Sequence, residues 1–485
     1  MMNYKKMTIS EIHEALKNKT LSVTELTTQV FNNLEKDWES NAVLTLAKAE
    51  SLEMAKKLDQ NFEDDNLLYG VPYLAKDNFS TKGIRTTSSS KILDKYRPVF
   101  DATVIEKLNK VSTVMVGKTA LDELGMGGTG LHSAYGKIFN PRDSKRLVGG
   151  SSSGSAYVVA KGYVPFATGT DTGDSIRKPA SYNAVVGFKP TYGAISRYGV
   201  LPYAPSLDTV GFFTRNVDDM AILAEASFGY DKKDFTSIDV NYQNFLKNID
   251  NLPSTTKFGF IKEVHQALDD NMQKEYNQFY EKLKQQGYEV QEISFREDLL
   301  EALAPVYMMI SFSEAVSTNA NLDGINFGAR EVGKDFNEIM TRTRSKNFGE
   351  VVKRRFIIGA LNLRRQNQIE FLLKAKQVRR LIVEEISNIF AKLDILIIPP
   401  APGPAPLIEA AQEFDQHNSP IKEYLDDILI VANFAGLPSI TIPFIEIEGM
   451  PVGINLTAQV AEDLKVLQAA KTCETIIGRK NEVVE

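Results

Sequence analysis

Residues 147–187 read LVGGSSSGSAYVVAKGYVPFATGTDTGDSIRKPASYNAVVG. Gly and Ser crowd both ends of a short apolar stretch, Ala156–Lys161, whose composition suits a helix. Glycine permits positive φ and close backbone approach. Serine supplies compact hydroxyls for nucleophilic or relay chemistry. A plain structural loop has the same composition, so the surrounding chain must decide.

Outward from this segment, short apolar runs alternate with amphipathic stretches. Thr113–Val116 follows the helix-like Ala102–Lys110, and Phe258–Ile261 precedes the helix-like Asp270–Gln286. Tyr288–Phe295, Leu393–Ile398, Ser439–Phe444 and Val452–Leu456 read as further strands. Such alternation predicts an α/β fold, a sheet covered by helices. Near the N-terminus, Thr8-Ile-Ser-Glu11 and Ser22-Val-Thr-Glu25 are capping boxes. They predict a helix pair over about residues 8–40. Asp231–Thr256 is polar and reads as a surface excursion. Pro399–Pro406 follows an apolar run and reads as a rigid turn at a strand end.

Composition excludes several classes. Of 485 residues, 43% are hydrophobic and 24% charged, which excludes a disordered chain. Lys+Arg number 56 against 62 Asp+Glu, a net charge of −6. That balance lacks the global basic footprint of a nucleic-acid binder. The single cysteine, Cys473, cannot form an internal disulfide and fits a cytoplasmic setting. Four scattered histidines, with no HExxH and no CxxC, suggest no metal site. The apolar stretch Ile428–Ile445 contains Asn433, Gly436, Pro438 and Pro443. It suits a helix, a turn and a buried strand better than a membrane span of about 20 residues.

Four motif readings compete. Val116-Gly117-Lys118-Thr119 has the end of a phosphate loop, but Ser112 stands where the first glycine belongs, and the run between is strand-like. Gly150-Ser-Ser152-Ser-Gly154 fits a nucleophile elbow with Ser152, which needs a downstream acid and a histidine such as His265 or His417. Ser175-Ile-Arg-Lys178 fits SxxK, without its SDN and KTG partners. The fourth is a Ser/Ser/Lys amidase centre. Gly149-Gly-Ser151-Ser-Ser-Gly154-Ser155 and Gly169-Thr-Asp171-Thr-Gly173-Asp-Ser175-Ile-Arg177-Lys-Pro179 closely resemble the amidase signature family. Tyr69-Gly-Val-Pro-Tyr-Leu-Ala-Lys76-Asp77-Asn78 resembles that family's catalytic-lysine strand. The order of the three motifs and the spacing of Lys76, Ser151 and Ser175 match the family pattern.

The resemblance extends from about residue 8 to residue 475. Leu121–Gly127, Phe139–Asp143, Lys189–Gly193, Ser196–Gly199, Ser206–Gly211, Val352–Arg355 and Asn433–Pro438 resemble one branch of the family. This branch contains the A-type chains of aspartyl/glutamyl-tRNA amidotransferases. The resemblance implies a single α/β/α unit, residues 1–485, around a large mixed sheet, with a catalytic core over about 65–215. It implies glutaminase chemistry. Ser175 would be the nucleophile, Ser151 the relay at a cis peptide, and Lys76 the base. Backbone N–H groups of Thr172, Gly173, Asp174 and Ser175 would form the oxyanion hole. Lys76 would have to be neutral, so the apolar run Val71–Ala75 should bury it and lower its pKa. Arg355 would bind the glutamine carboxylate, Asp427 or Asp426 its ammonium, and Tyr307 would line the pocket.

The family usually has glycine where this chain has Ser153 and Asp174. A carboxylate at 174 would oppose an oxyanion if it turned inward, so the expectation is that it turns away. The resemblance further implies no cofactor on this chain. Two other subunits, a B-type kinase/transamidase and a small C-type chain, would complete a heterotrimer. ATP and Mg²⁺ would act on the partner, which would also hold most of the tRNA. A free-standing amidase acting on a small amide shares the same triad, and a scaffold subunit without catalysis is the reading favoured by Asp174 alone.

Overall fold

The computed structural model describes residues 3–239, 244–414 and 424–485. Both N-terminal capping boxes form. Thr8 Oγ1 accepts from the Glu11 N–H and the Glu11 carboxylate accepts from the Thr8 N–H; Ser22 and Glu25 repeat the arrangement. The helices they start, Ile9–Lys17 and Val23–Lys36, bury Ile9, Ile12, Leu26, Val30 and Phe31 completely. Reciprocal satisfaction of orphan N–H groups sets where they start, one apolar stripe per helix sets which face packs inward, and Asp219 and Asp59 accept further N–H groups of their first turns.

Eleven strands form one sheet. They are β1 (Val43–Leu46), β2 (Pro72–Lys76), β3 (Val114–Thr119), β4 (Phe166–Asp171), β5 (Val186–Lys189), β6 (Thr209–Thr214), β7 (Lys257–Ile261), β8 (Glu289–Ile293), β9 (Ile395–Ile398), β10 (Ser439–Ile447) and β11 (Met450–Ala458). Their spatial order is β1-β3-β2-β4-β6-β5-β10-β11-β9-β7-β8. The sheet is mixed: β2 runs parallel to β3 and β4, β10 and β11 form an antiparallel hairpin, and β7 runs parallel to β8 and β9. Every residue of β2, β4, β5, β6, β9 and β11 is buried. Strands buried on both faces need helical layers on both sides. The observed architecture is therefore the α/β class expected from the sequence.

The expected strands appear with shifted ends. The turn after β9 carries Ala401 and Ala405 into a small buried cluster with Tyr182 and Met450, as a strand-end turn should. Ile430–Phe434 is a short helix, followed by the turn into β10. The polar reading of residues 231–256 needs correction. Phe245 and Ile249 are buried, and Phe245 packs edge-on against Phe228. Two apolar anchors pin that segment despite its polar average; residues 240–243 lie outside the described set. Among the described residues, one helical stretch, Glu297–Thr318, is long and apolar enough by composition to cross a membrane. Leu299, Leu300, Leu303, Val306 and Ile310 within it are buried in the protein core.

Candidate active site

Lys76 ends β2, beside β4, and its side chain is fully buried. Its Nζ lies 3.0 Å from Ser151 Oγ, 2.8 Å from Ser152 Oγ and 2.8 Å from Thr170 Oγ1, with the Thr170 carbonyl at 3.3 Å. Asn78 donates to the same Thr170 hydroxyl at 3.1 Å. All the direct partners are neutral. Burial therefore lowers the lysine pKa to about 7 from 10.5, opposed by the more distant charges of Asp122, Asp171 and Asp208. A neutral amine is available near neutral pH.

Ser151 follows two glycines, one in the left-handed region and one packed too closely to carry a side chain. Gly149 has φ +79°, and a Cβ at Gly150 would overlap the Asp122 carboxylate. The Gly150–Ser151 peptide is cis, as the resemblance implies. Asp122 anchors the facing loop. Its N–H donates to the Ser151 carbonyl at 3.1 Å, and its carboxylate accepts from the N–H groups of Thr129, Gly130 and His132. Ser152 then leads into the buried helix Ser153–Ala160, and its hydroxyl also donates to the Thr170 carbonyl at 3.1 Å.

Ser175 sits in the turn between β4 and the helix Arg177–Asn183. The turn is held by a buried clamp. Arg177 binds Asp171 through two bonds, Nε–Oδ2 at 3.1 Å and Nη2–Oδ1 at 2.9 Å. It also donates to the carbonyls of Gly173 and Leu429 and to the side chain of Asn433. Asn433 returns a bond to Asp171 at 2.9 Å. Burial pushes the Asp171 carboxyl up, but the guanidinium outweighs it and holds the pKa at about 2. The N–H groups of Gly173, Asp174 and Ser175 have no acceptor among the described residues, while the Ser175 carbonyl accepts from the Ser152 N–H at 3.2 Å. Uncommitted donors on a clamped turn are what an oxyanion pocket requires.

The Asp174 carboxylate is engaged by a lysine and not left unpaired. Its Oδ2 pairs with Lys178 Nζ at 2.8 Å, and Lys178 also reaches Asp426 Oδ1 at 3.1 Å. Tyr307 lies against the same turn, since a Cβ on Gly173 would come within 3.2 Å of its ring. Arg355, on the helix Glu350–Asn362, donates to the Tyr203 hydroxyl at 3.0 Å and sits over the Phe312 ring. Asp426 and Asp427 lie on the short helix Tyr424–Asp427, Asp427 half-buried.

The competing motifs fall differently. Lys118 is buried within β3 and bonds to Thr81, Thr86 and the Phe79 carbonyl, so its run is a strand end. Lys178 is committed to two carboxylates and stays protonated, which suits no base for Ser175. His265 packs on Phe260 and Tyr280 beyond β7, seven places across the sheet from β2. The elbow's other candidate, His417, lies outside the described residues. The sequence reading missed Ser152 as a lysine partner, and gave no role to Asn78, Thr170, Asp122 or Asn433, which it held only as members of motifs. It also placed the core at 65–215, whereas the Arg177 clamp draws on residues 429 and 433 because β10 pairs directly with β5.

The fold and this constellation define an amidase, and the Amidase family pattern matches residues 25–467: the chain belongs to that family. It is 40% identical over 478 residues to the A-type chain of glutamyl-tRNA(Gln) amidotransferase from Mycoplasma pneumoniae, covering 97% of this chain and 98% of that protein. It is 37% identical over 478 residues to the protein of the same name from Pediococcus pentosaceus, with coverage of 98% and 97%. The crystal structure of the corresponding glutamyl-tRNA(Gln) amidotransferase chain from Thermotoga maritima is similar at a TM-score of 0.79 and 32% identity, covering 98% of this chain and 96% of that one.

Proposed function

We propose that this chain is the glutaminase subunit of a tRNA-dependent amidotransferase. The observation that carries the reading is the buried Lys76 amine, 3.0 Å from Ser151 and with a pKa brought down to about 7. Ser175 Oγ attacks the side-chain carboxamide carbon of glutamine. Its proton passes through Ser151 to Lys76, and the oxyanion takes N–H groups of the 172–175 turn. The C–N bond then breaks as Lys76, through Ser151, returns the proton to departing ammonia. Water hydrolyses the resulting ester at Ser175 by the same relay and releases glutamate. Arg355 binds the α-carboxylate, Asp427 the α-ammonium, and Tyr307 walls the pocket.

Ammonia then passes to a B-type subunit that activates Glu-tRNA, or Asp-tRNA, with ATP and Mg²⁺ in a cytoplasmic heterotrimer completed by a small C-type chain. Lys118, at the end of the phosphate-loop-like run, is buried in a strand, so that run presents no phosphate cradle. The test is ammonia release from L-glutamine by the reconstituted complex, wild type beside Ser175→Ala. Release by wild type alone supports the reading. Equal release by both refutes the role of Ser175, and broad amide turnover without glutamine preference favours a free-standing amidase.

A further inference from the structure

Asp174 stands directly before Ser175, in the turn that presents the nucleophile. Its carboxylate is drawn 2.8 Å from Lys178 Nζ, one helical turn on, and Lys178 donates to both the side chain and the carbonyl of Asp426, at 3.1 and 2.7 Å. The Lys178 side chain is only 9% exposed and that of Asp174 21%, against 50% for Asp426, so the Lys178–Asp174 half of the bridge is shielded from solvent. Shielding matters because an unpaired carboxylate there would act at short range on charge developing at the next residue. The same lysine ties the nucleophile turn to the helix Tyr424–Asp427.

We propose that Lys178 is a positioning residue: it holds the Asp174 carboxylate outward and neutralised beside the backbone donors that receive the oxyanion. The proposal rests on the reading of Ser175 as the acyl-forming nucleophile. Asp174 and Lys178 then act as one charge-compensated pair of the turn. The carboxylate is tolerated because the cation is present, and removing the cation alone is worse than removing both charges.

The test is glutamine-dependent ammonia release by the full chain with its partner subunits, with kcat and KM measured separately. Lys178→Gln is expected to lower kcat about tenfold with a smaller change in KM, the size of a close charged coupling. Lys178→Arg restores turnover, and Asp174→Asn combined with Lys178→Gln regains most of the lost kcat. A double variant as slow as Lys178→Gln overturns the proposal, because the lysine would then act through packing. So does a Lys178→Gln variant that turns over like wild type. Should Lys178→Gln fail to fold, the charge-free double variant decides: at least about a tenth of wild-type kcat supports the proposal, and a folded but inactive protein overturns it. Absence of Ser175-dependent release by wild type overturns the underlying reading and the proposal together. Ser175-dependent release with an indifferent Lys178→Gln overturns the proposal alone.

Discussion

The amine of Lys76 lies closer to the hydroxyl of Ser152, at 2.8 Å, than to that of Ser151, at 3.0 Å. Ser152 in turn donates to the Thr170 carbonyl, so it fixes the amine against β4. Ser152→Ala should cost about tenfold in kcat, the worth of one buried hydrogen bond. Lys76→Ala should cost at least about a hundredfold, the scale of a lost general base. Equal losses in the two variants would assign Ser152 a direct part in the chemistry.

Lys76 also sets a pH dependence. Its folded pKa, lowered by burial from 10.5 to about 7, makes the protonated form inactive as a base. Glutamine turnover should rise with pH through an apparent pKa near 7 and then level off. The sign for stability follows from the same shift. Between about pH 7 and 10.5 the unfolded chain binds this proton and the folded chain does not, so the lysine's contribution to stability grows as pH rises. The unfolding free energy of wild type relative to Lys76→Met should therefore increase from pH 7 to pH 10. A constant difference in urea denaturation would show that the amine titrates alike in both states.

Asp122 supplies the largest opposing influence on that lysine while gathering three backbone N–H groups. Asp122→Asn removes the charge, so the acidic limb of the turnover profile should move to lower pH. The amide cannot accept from all three donors, and stability should fall by about 1–3 kcal/mol. A limb that moves upward would contradict the electrostatic assignment.

Arg177→Leu leaves the Asp171 carboxylate buried without its cation. Breaking such a pair from one side costs about 3–5 kcal/mol. The denaturation midpoint should drop accordingly, and glutamine turnover should vanish even where the variant still folds. A soluble variant of near-normal stability would mean that Asn433 and the Ile176 N–H satisfy Asp171 without the guanidinium.

Arg355→Ala should raise KM for glutamine about tenfold to a hundredfold, the range of a lost charged hydrogen bond. The effect on kcat should be smaller. Steady-state kinetics on a short aliphatic amide lacking the α-carboxylate provides the control, because that substrate should not distinguish the variant from wild type.

Much of this was legible where the determinants are local. Thr8 with Glu11 and Ser22 with Glu25 announce their helices within four residues, and β2 is announced by an unbroken apolar run ending at Lys76. Lys76 and Ser151, which the structure brings to 3.0 Å, were legible together through motif resemblance. The rest depends on contacts that no local pattern encodes. Thr170 meets Lys76 across 94 residues, and Asn433 meets Arg177 across 256. Asp122 was visible only as part of a motif, because its work is done by three N–H groups that a later loop brings to it. Asp231–Thr256 misled because an average polarity conceals two buried apolar anchors, Phe245 and Ile249.

The Arg177 clamp also bears on the order in which the molecule is made. Lys76, Ser151 and Ser175 all leave the ribosome early, yet the groups that hold their turn, Leu429 and Asn433, come some 250 residues later. The strand that closes the sheet beside β5, β10, emerges later still. A nascent chain stopped near residue 400 would hold the complete triad in sequence and lack the geometry to use it. Hydrolytic competence thus waits until Leu429 and Asn433 have been made and docked.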